Sequence, residues 1–328
     1  MAVLVTGGAG YIGSHMVLRL ADANEEVVVL DNLVTGFDWA VDHRATLVQG
    51  NVGDMGLVGD LIAKHKITEI VHFAGSIVVP ESVTDPLKYY GNNTAASRNL
   101  IEAAVKGGVK HFIFSSTAAV YGGGHGTAVS EDAPTLPESP YGTSKLMTEL
   151  MLRDAATAHP LTYTALRYFN VCGADPKGRT GQSTRGATHL IKVACETATG
   201  KRPYMEVYGT DYPTRDGTCI RDYIHVWDLV EAHLLALKRL REGGGNLVAN
   251  CGYGRGYSVL EVIDAVRRNV KADLDVRLAP RRPGDPASIV ANADRARTEL
   301  GWRPELDDLD LIVRHAHDWE EALKRRNT

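Results

Sequence analysis

Cysteine is scarce in this chain: 4 residues in 328, at 172, 195, 219 and 251, with no Cys-x-x-Cys pair. That spacing gives neither a disulfide framework nor a zinc site, and a reducing, cytoplasmic compartment fits it. No run of 18 apolar residues occurs, so no membrane-spanning helix is expected. Positive charge is not in excess. The 36 basic and 40 acidic residues give a net charge of -4, which argues against nucleic acid as a partner. Lys324-Arg325-Arg326 reads as helix-end charge. No charged segment precedes the strand-like Ala2-Val3-Leu4-Val5, so no secretory leader is expected. The histidines show no metal spacing, since His315 and His317, two apart, point different ways on a helix. No Gly-x-Ser-x-Gly elbow is present, which sets aside Ser-His-Asp hydrolysis.

What is present is an ordinary globular composition, 44% hydrophobic and 23% charged, long enough for one large or two ordinary domains. Short apolar runs alternate with helical patterns: Val3–Thr6, Glu26–Leu30, Ala45–Val48, Glu69–His72, His111–Phe114 and Leu161–Leu166 read as strands. A long helix is expected over Asp85–Val105. This alternation predicts an α/β fold, a doubly wound parallel sheet of Rossmann type, with ligands at the carboxyl ends of its strands. The pattern loosens after Asn170. Gly173–Gly186 reads as a mobile loop or lid, and a smaller mixed α/β substrate domain follows. The expected division is 1–170 for dinucleotide binding and 171–328 for substrate, with about 222–242 packing back on the first part. Ser258 to Glu261 is a capping box.

Three stretches carry chemistry. Gly7, Gly10 and Gly13 follow the first strand and open a helix, where glycine lets a pyrophosphate approach the backbone and the helix N-terminus. Asp31 ends the second strand 18 residues past Gly13 and is placed to hold ribose hydroxyls; a carboxylate there repels a 2′-phosphate, which favours NAD over NADP. Tyr141 and Lys145, four apart, share a helix face. A phenol titrates about three units above neutral pH, so making it a base takes about 4 kcal/mol of differential interaction, which an adjacent ammonium can supply. Ser115-Ser116-Thr117 and Arg167-Tyr168-Phe169-Asn170 follow two strands and face the same crevice. Arg221 and Arg281-Arg282 are either diphosphate clamps or surface ion pairs.

Along its whole length the sequence resembles the extended short-chain dehydrogenase/reductases, in particular the branch that epimerises UDP-hexoses at C4. The resemblance rests on the glycine motif, Asp31-Asn32-Leu33, His72-Phe73-Ala74-Gly75, Glu81-Ser82-Val83 and Tyr89-Tyr90 with Asn92-Asn93. It continues through Phe114–Thr117, Val120-Tyr121-Gly122, Tyr141 with Lys145, Arg167–Asn170, Asp211–Thr214, Arg221–Val226, and Ala279–Arg282 with Gly284-Asp285. It implies interconversion of UDP-galactose and UDP-glucose through a 4-keto sugar, with the C4 hydride held reversibly on tightly bound NAD.

The resemblance also implies site residues. Tyr141 would take the 4-hydroxyl proton, Lys145 would lower the Tyr141 pKa and hold the nicotinamide ribose, and Thr117 would hydrogen-bond O4. Gly7, Gly10, Tyr11, Ile12, Gly13, Asp31, Asn32, Asn51, Val52, Phe73, Ala74, Gly75, Asn92, Ser115 and Phe169 would join Tyr141 and Lys145 around the cofactor. Asn170, Leu190, Val207, Tyr208, Arg221, Arg282 and Asp285 would join Thr117 around the UDP-sugar. Ala118-Ala119 follows Thr117 where dehydratases and decarboxylases of this type carry an acid, so hydride transfer without elimination is what remains. Three positions depart from the family pattern, a lysine replaced by Ile77, an acid by Asn51 and an asparagine by His189, and Ile289 stands where N-acetyl sugars are gated. Another UDP sugar (an N-acetylhexosamine, a uronate or a pentose), or a catalytically silent NAD sensor, stays open on these residues. A homodimer built on first-domain helices is also implied.

Overall fold

The computed structural model describes residues 2–123, 128–282 and 285–326. Gly284, quoted above beside Asp285, lies outside them. The first half alternates β1 (Ala2–Thr6), α1 (Tyr11–Asp22), β2 (Glu26–Asp31), β3 (Thr46–Gln49), α2 (Met55–His65) and β4 (Glu69–His72). Next come α3 (Val79–Thr84), α4 (Pro86–Tyr89), α5 (Ala96–Lys106), β5 (His111–Thr117), α6 (Pro140–Ala158) and β6 (Thr162–Tyr168). The second half holds β7 (Asn170–Cys172), α7 (Leu190–Ala198), β8 (Met205–Tyr208), β9 (Ile220–His225), α8 (Val226–Arg241) and β10 (Leu247–Cys251). It closes with β11 (Gly256–Ser258), α9 (Val259–Val270), β12 (Val276–Ala279), β13 (Ser288–Ile289), α10 (Asp294–Glu299) and α11 (Leu309–Arg326).

Seven strands form one parallel sheet in the order β10-β6-β5-β4-β1-β2-β3. Its strands are apolar on both faces because both are covered, as a parallel sheet requires. One apolar cluster joins Val3, Val5 and Val29 to Met16, Val17 and the α8 residues Leu229, Val230 and Leu237. The other joins Leu4, Leu30 and Ile70 to α2 and α5. A smaller sheet, β11-β9-β13 with β7 on β9, and the β8–β12 pair make up the rest.

The helix expected over Asp85–Val105 runs without a break from Pro86 to Lys106, with a π segment in its middle. Asp85 caps it by accepting from Lys88 N at 3.2 Å, and Pro86 takes its first turn, a position where its missing N–H costs nothing. Residues Tyr90–Ala95 then form a wide π turn before α5. At Ser258 the capping box forms as the spacing requires, with Glu261 N donating to Ser258 Oγ and Ser258 N to Glu261 Oε2.

Candidate active site

The site lies where β1, β4, β5 and β6 end. Gly7 is left-handed at φ +71°, and a Cβ on it would sit 2.6 Å from Ala74 N, so the turn after β1 can touch the segment after β4 only as glycine. A Cβ on Gly13 would sit 2.1 Å from Gly7 O, which presses α1 against the same turn. Gly10 caps α1 without a side chain, leaving the helix N-terminus open beside Tyr11 and Ile12. Asp31 accepts Ala9 N at 2.9 Å on one carboxylate oxygen and Leu33 N at 2.8 Å on the other. Each oxygen keeps a lone pair for a further donor. An uncapped helix start, a turn that excludes every Cβ and a carboxylate with spare acceptors fit a dinucleotide. Asn32 and Asn51 are exposed beyond this cradle, and Asn51 Oδ1 accepts Gly53 N at 2.7 Å. Val52 is buried.

On the other side of Ala74-Gly75, Ser139 caps α6 by accepting Gly142 N at 3.2 Å, and Pro140 enters the first turn. A Cβ on Gly142 would stand 2.4 Å from Ala119 O, so the helix start presses on the turn after β5. That contact brings Tyr141 to Thr117, whose hydroxyl hydrogen-bonds the phenol. Both residues are buried, as is Lys145. Burial raises the Tyr141 pKa, and the Thr117 hydroxyl acts against it. Burial lowers Lys145 to about 8. Its ammonium donates to Ser115 O at 3.0 Å and stands 5.0 Å over the Phe114 ring. Tyr141 thus meets Thr117 while Lys145 is turned to the Ser115 carbonyl.

Asn93, Ser76, Ser144 and His233, which were not assigned to the site from sequence, hold this arrangement together with residues that were. Asn93, in the π turn, accepts Ser76 N at 2.7 Å and donates to Ser76 O and Ser144 Oγ, both at 3.0 Å, which ties the segment after Gly75 to α6. Its neighbour Asn92 donates to Ser76 Oγ at 3.0 Å. Ser115 Oγ donates to His233 Nε2 at 2.8 Å, while His233 Nδ1–H donates to Leu229 O at 2.9 Å. Burial holds that ring neutral, lowering its pKa to about 4 against the pull of the Leu229 carbonyl. Phe73 lies 4.9 Å from the His233 ring. Asn93 alone had a sequence signal, as the partner of Asn92 in the quoted motif.

The remaining residues gather in two places. Asn170, Leu190 and His189 line a cavity with Tyr11, Gln182 and Trp319. Tyr208 carries the Arg282 guanidinium 3.6 Å above its ring, and Val207 beside it is buried. Arg221 Nη2 lies 3.6 Å from Asp285 Oδ1. Arg221 is the register partner of Ile289, and Ile289 packs with Ala118 and Phe169 next to Thr117.

Gly173–Gly186, read from sequence as a mobile lid, is a strap fastened over the glycine loop. Tyr11 OH donates to Gly173 O at 2.7 Å, Ser14 and Thr180 hydroxyls meet at 3.0 Å, and Arg179 bonds Asp175 and Asp22 at 2.8 Å. From above, Trp319 Nε1 on α11 donates to Ser183 Oγ at 3.2 Å. Beneath the strap a small cavity is lined by Ala9, Gly10, Phe37, Ser183 and Thr184.

A sequence profile of the NAD dependent epimerase/dehydratase family matches residues 3–252. The chain belongs to that family. Within it, the chain is 55% identical to the UDP-glucose 4-epimerase of Azospirillum brasilense, over 98% of this chain and 93% of that one. It is 43% identical, with a TM-score of 0.94, to the solved UDP-glucose 4-epimerase of Brucella ovis in complex with NAD, over 97% of both chains. The Bifidobacterium longum UDP-glucose 4-epimerase, solved with NAD+ and UDP, is 38% identical at a TM-score of 0.94 over 98% of both chains. Family membership makes NAD the cofactor of this chain.

Proposed function

We propose that the protein interconverts UDP-galactose and UDP-glucose by inverting the configuration at C4. The observation that carries this reading is the buried hydroxyl pair, Thr117 with Tyr141, at the end of β5 and beside the NAD cradle. NAD, when bound, supplies a reversible acceptor for the C4 hydride. The chain supplies the proton path and the grip. Tyr141 takes the proton of the 4-hydroxyl at its phenolic oxygen and returns it after the hydride has come back on the other face. Thr117 holds O4 in line with its hydroxyl. Lys145 provides the positive charge that a buried phenolate needs, and with water kept out the attraction between the two charges is stronger than in solvent. Ala118 and Ala119 cannot move protons, so the site has no acid for eliminating the neighbouring hydroxyl.

Arg221 and Arg282 grip the diphosphate, with Tyr208, Val207, Asp285, Asn170 and Leu190 around the rest of the nucleotide sugar. Arginine suits this because its planar fork matches two phosphate oxygens at once. The working form in this reading is a homodimer on first-domain helices, where Leu87 on α4 is 78% exposed and Leu150 on α6 41%, and where Val83 on α3 and Met147 on α6 are exposed as well. Four free cysteines support a reducing, cytoplasmic setting. The test is turnover of UDP-galactose by purified protein without added NAD, reading UDP-glucose with a coupled dehydrogenase, with UDP-N-acetylgalactosamine alongside. Rapid UDP-glucose formation is expected; no turnover of either sugar with NAD restored would overturn the UDP-hexose assignment.

A further inference from the structure

The helix that carries Tyr141 and Lys145 has a third buried polar residue on the same face. Glu149 follows Lys145 by one turn, at the spacing that separates Tyr141 from Lys145. Its carboxylate receives Arg167 Nε at 3.0 Å, Arg167 Nη2 at 2.6 Å and the Ser116 hydroxyl. The Glu149 and Arg167 side chains are 5% and 7% exposed.

The placement of these partners is specific. Ser116 and Arg167 are register partners on β5 and β6, and the next pair up is Thr117 with Tyr168. Arg167 Nη1 also donates to Tyr121 OH at 3.0 Å, and Tyr121 OH donates to Asn250 Oδ1 at 2.7 Å. Asn250 is Arg167's register partner on β10. A belt of side chains therefore crosses three strands one residue below the reacting layer and ends on α6.

We propose that Glu149 is a positioning residue for the proton transfer, setting α6 against the end of β5 so that Tyr141 meets Thr117. The inference rests on the C4-epimerase reading above. The Gly142 contact, the Asn93 bond to Ser144 and the Lys145 bond to Ser115 O all hold the helix near its start. A helix held only near one end can still pivot. Glu149 stands eight residues past Tyr141, about 12 Å along the axis, and supplies a polar anchor farther along. Its two-pronged bond with Arg167 fixes direction as well as distance. A misplacement of about 1 Å at a reacting centre lowers a rate on the order of 100-fold.

Stability alone would leave a different signature. A buried ion pair can be replaced by apolar residues of similar volume with little loss of stability, whereas removing one partner strands a buried charge and destabilises strongly. The paired variant Glu149→Met with Arg167→Met therefore keeps the fold but removes the directional bond. Glu149→Gln keeps side-chain length and an acceptor for Ser116 and Arg167, yet leaves the Arg167 charge uncompensated. Positioning predicts opposite rankings: the double Met variant is the more stable and the slower, and the Gln variant is the less stable and the faster.

The experiment measures Tm, bound NAD, kcat and KM for UDP-galactose on purified wild type and both variants. For the double variant, kcat is expected to fall on the order of 100-fold, with KM and NAD content unchanged and Tm near wild type. A double variant within about threefold of wild-type kcat would overturn the proposal, as would kcat and Tm falling in step across the set. Should Glu149→Gln not fold, the double variant decides alone. An inactive wild type in the same assay would overturn the epimerase reading instead, so the two failures are distinguishable.

Discussion

Gly181 sits in the strap directly beneath Trp319. A Cβ added there would stand 2.3 Å from Trp319 Cγ and 2.4 Å from Cδ1, well inside contact distance. The indole cannot swing aside freely, because it is 2% exposed and its Nε1 is bonded to Ser183 Oγ at 3.2 Å. Forcing one methyl into a packed site costs about 1–3 kcal/mol. The strap is the weaker structure: its irregular backbone hangs on the Tyr11, Ser14 and Arg179 contacts, whereas α11 is packed along its length. Gly181→Ala should therefore lift the strap from the glycine loop, and the energy comes out of NAD binding. At about 1.4 kcal/mol per tenfold, NAD should dissociate roughly 5- to 150-fold faster. The assay is nucleotide released from the purified protein during gel filtration and then over time. Unchanged NAD release with a clear fall in Tm would show that α11 takes up the strain and that the strap does not cover the cofactor. Unchanged values of both would refute the packing argument itself.

Tyr141→Phe should lower kcat about 10²- to 10⁴-fold, the usual worth of a positioned acid–base group, while bound NAD measured after denaturation stays at the wild-type level. Lys145, lowered by burial to about 8 from its ordinary 10.5, penalises the NAD-free fold while it is charged. That penalty is complete below pH 8 and gone above 10.5, so Lys145→Met should stabilise NAD-free protein at pH 7 by about 2 kcal/mol, after subtracting the lost bond to Ser115 O. The gain should vanish as pH rises through that window in denaturant melts. Four buried histidines are held neutral by burial: His15 and His233 near 4, His72 near 3, and His225 well below its usual value. Their stabilisation is present above pH 6.5 and is lost as pH falls, because only the unfolded chain takes up the protons. At pH 5 each should cost about 2 kcal/mol, so cooperative unfolding near that pH, followed by circular dichroism, is expected. Full stability at pH 4 would contradict the assignment.

Features set by local spacing were legible in the sequence. The strand–turn–helix at the glycine triplet, Asp31 at the end of β2 and the Ser258 capping box need only a few neighbouring residues, and the structure has each where the sequence put it. Six of the seven strands of the large sheet followed from strand and helix periodicity; β10, far along the chain, joins it only in the assembled fold. What escaped depends on contacts distant along the chain. Asn93 reaches Ser144, Glu149 reaches Arg167, Ser115 reaches His233, and Trp319 reaches Ser183; no local pattern announces any of these. The helix start at Asp85 was a visible signal and is where the sequence put it, since Asp followed by Pro opens a helix. The π turn that follows has no such signature, because one extra residue per turn changes no composition. The Lys145 ammonium is a subtler case. Spacing puts it on the face of Tyr141, but its direction is set by the Ser115 carbonyl, which only the assembled sheet provides.

The order of strands in the large sheet has a consequence for synthesis. When β6 has emerged from the ribosome, its outer edge has no partner, because β10 is encoded by Leu247–Cys251. The α8 residues that cover α1 also arrive late, at Val226–Arg241. For that interval the nascent chain carries an open strand edge and the bare apolar face of β1 and α1. Such surfaces invite pairing between chains. Crowded polysomes are therefore where this protein is most exposed to aggregation. Slow translation between Asn170 and Cys251 would lengthen the hazard, and chaperones that shield strand edges would be needed most in that window.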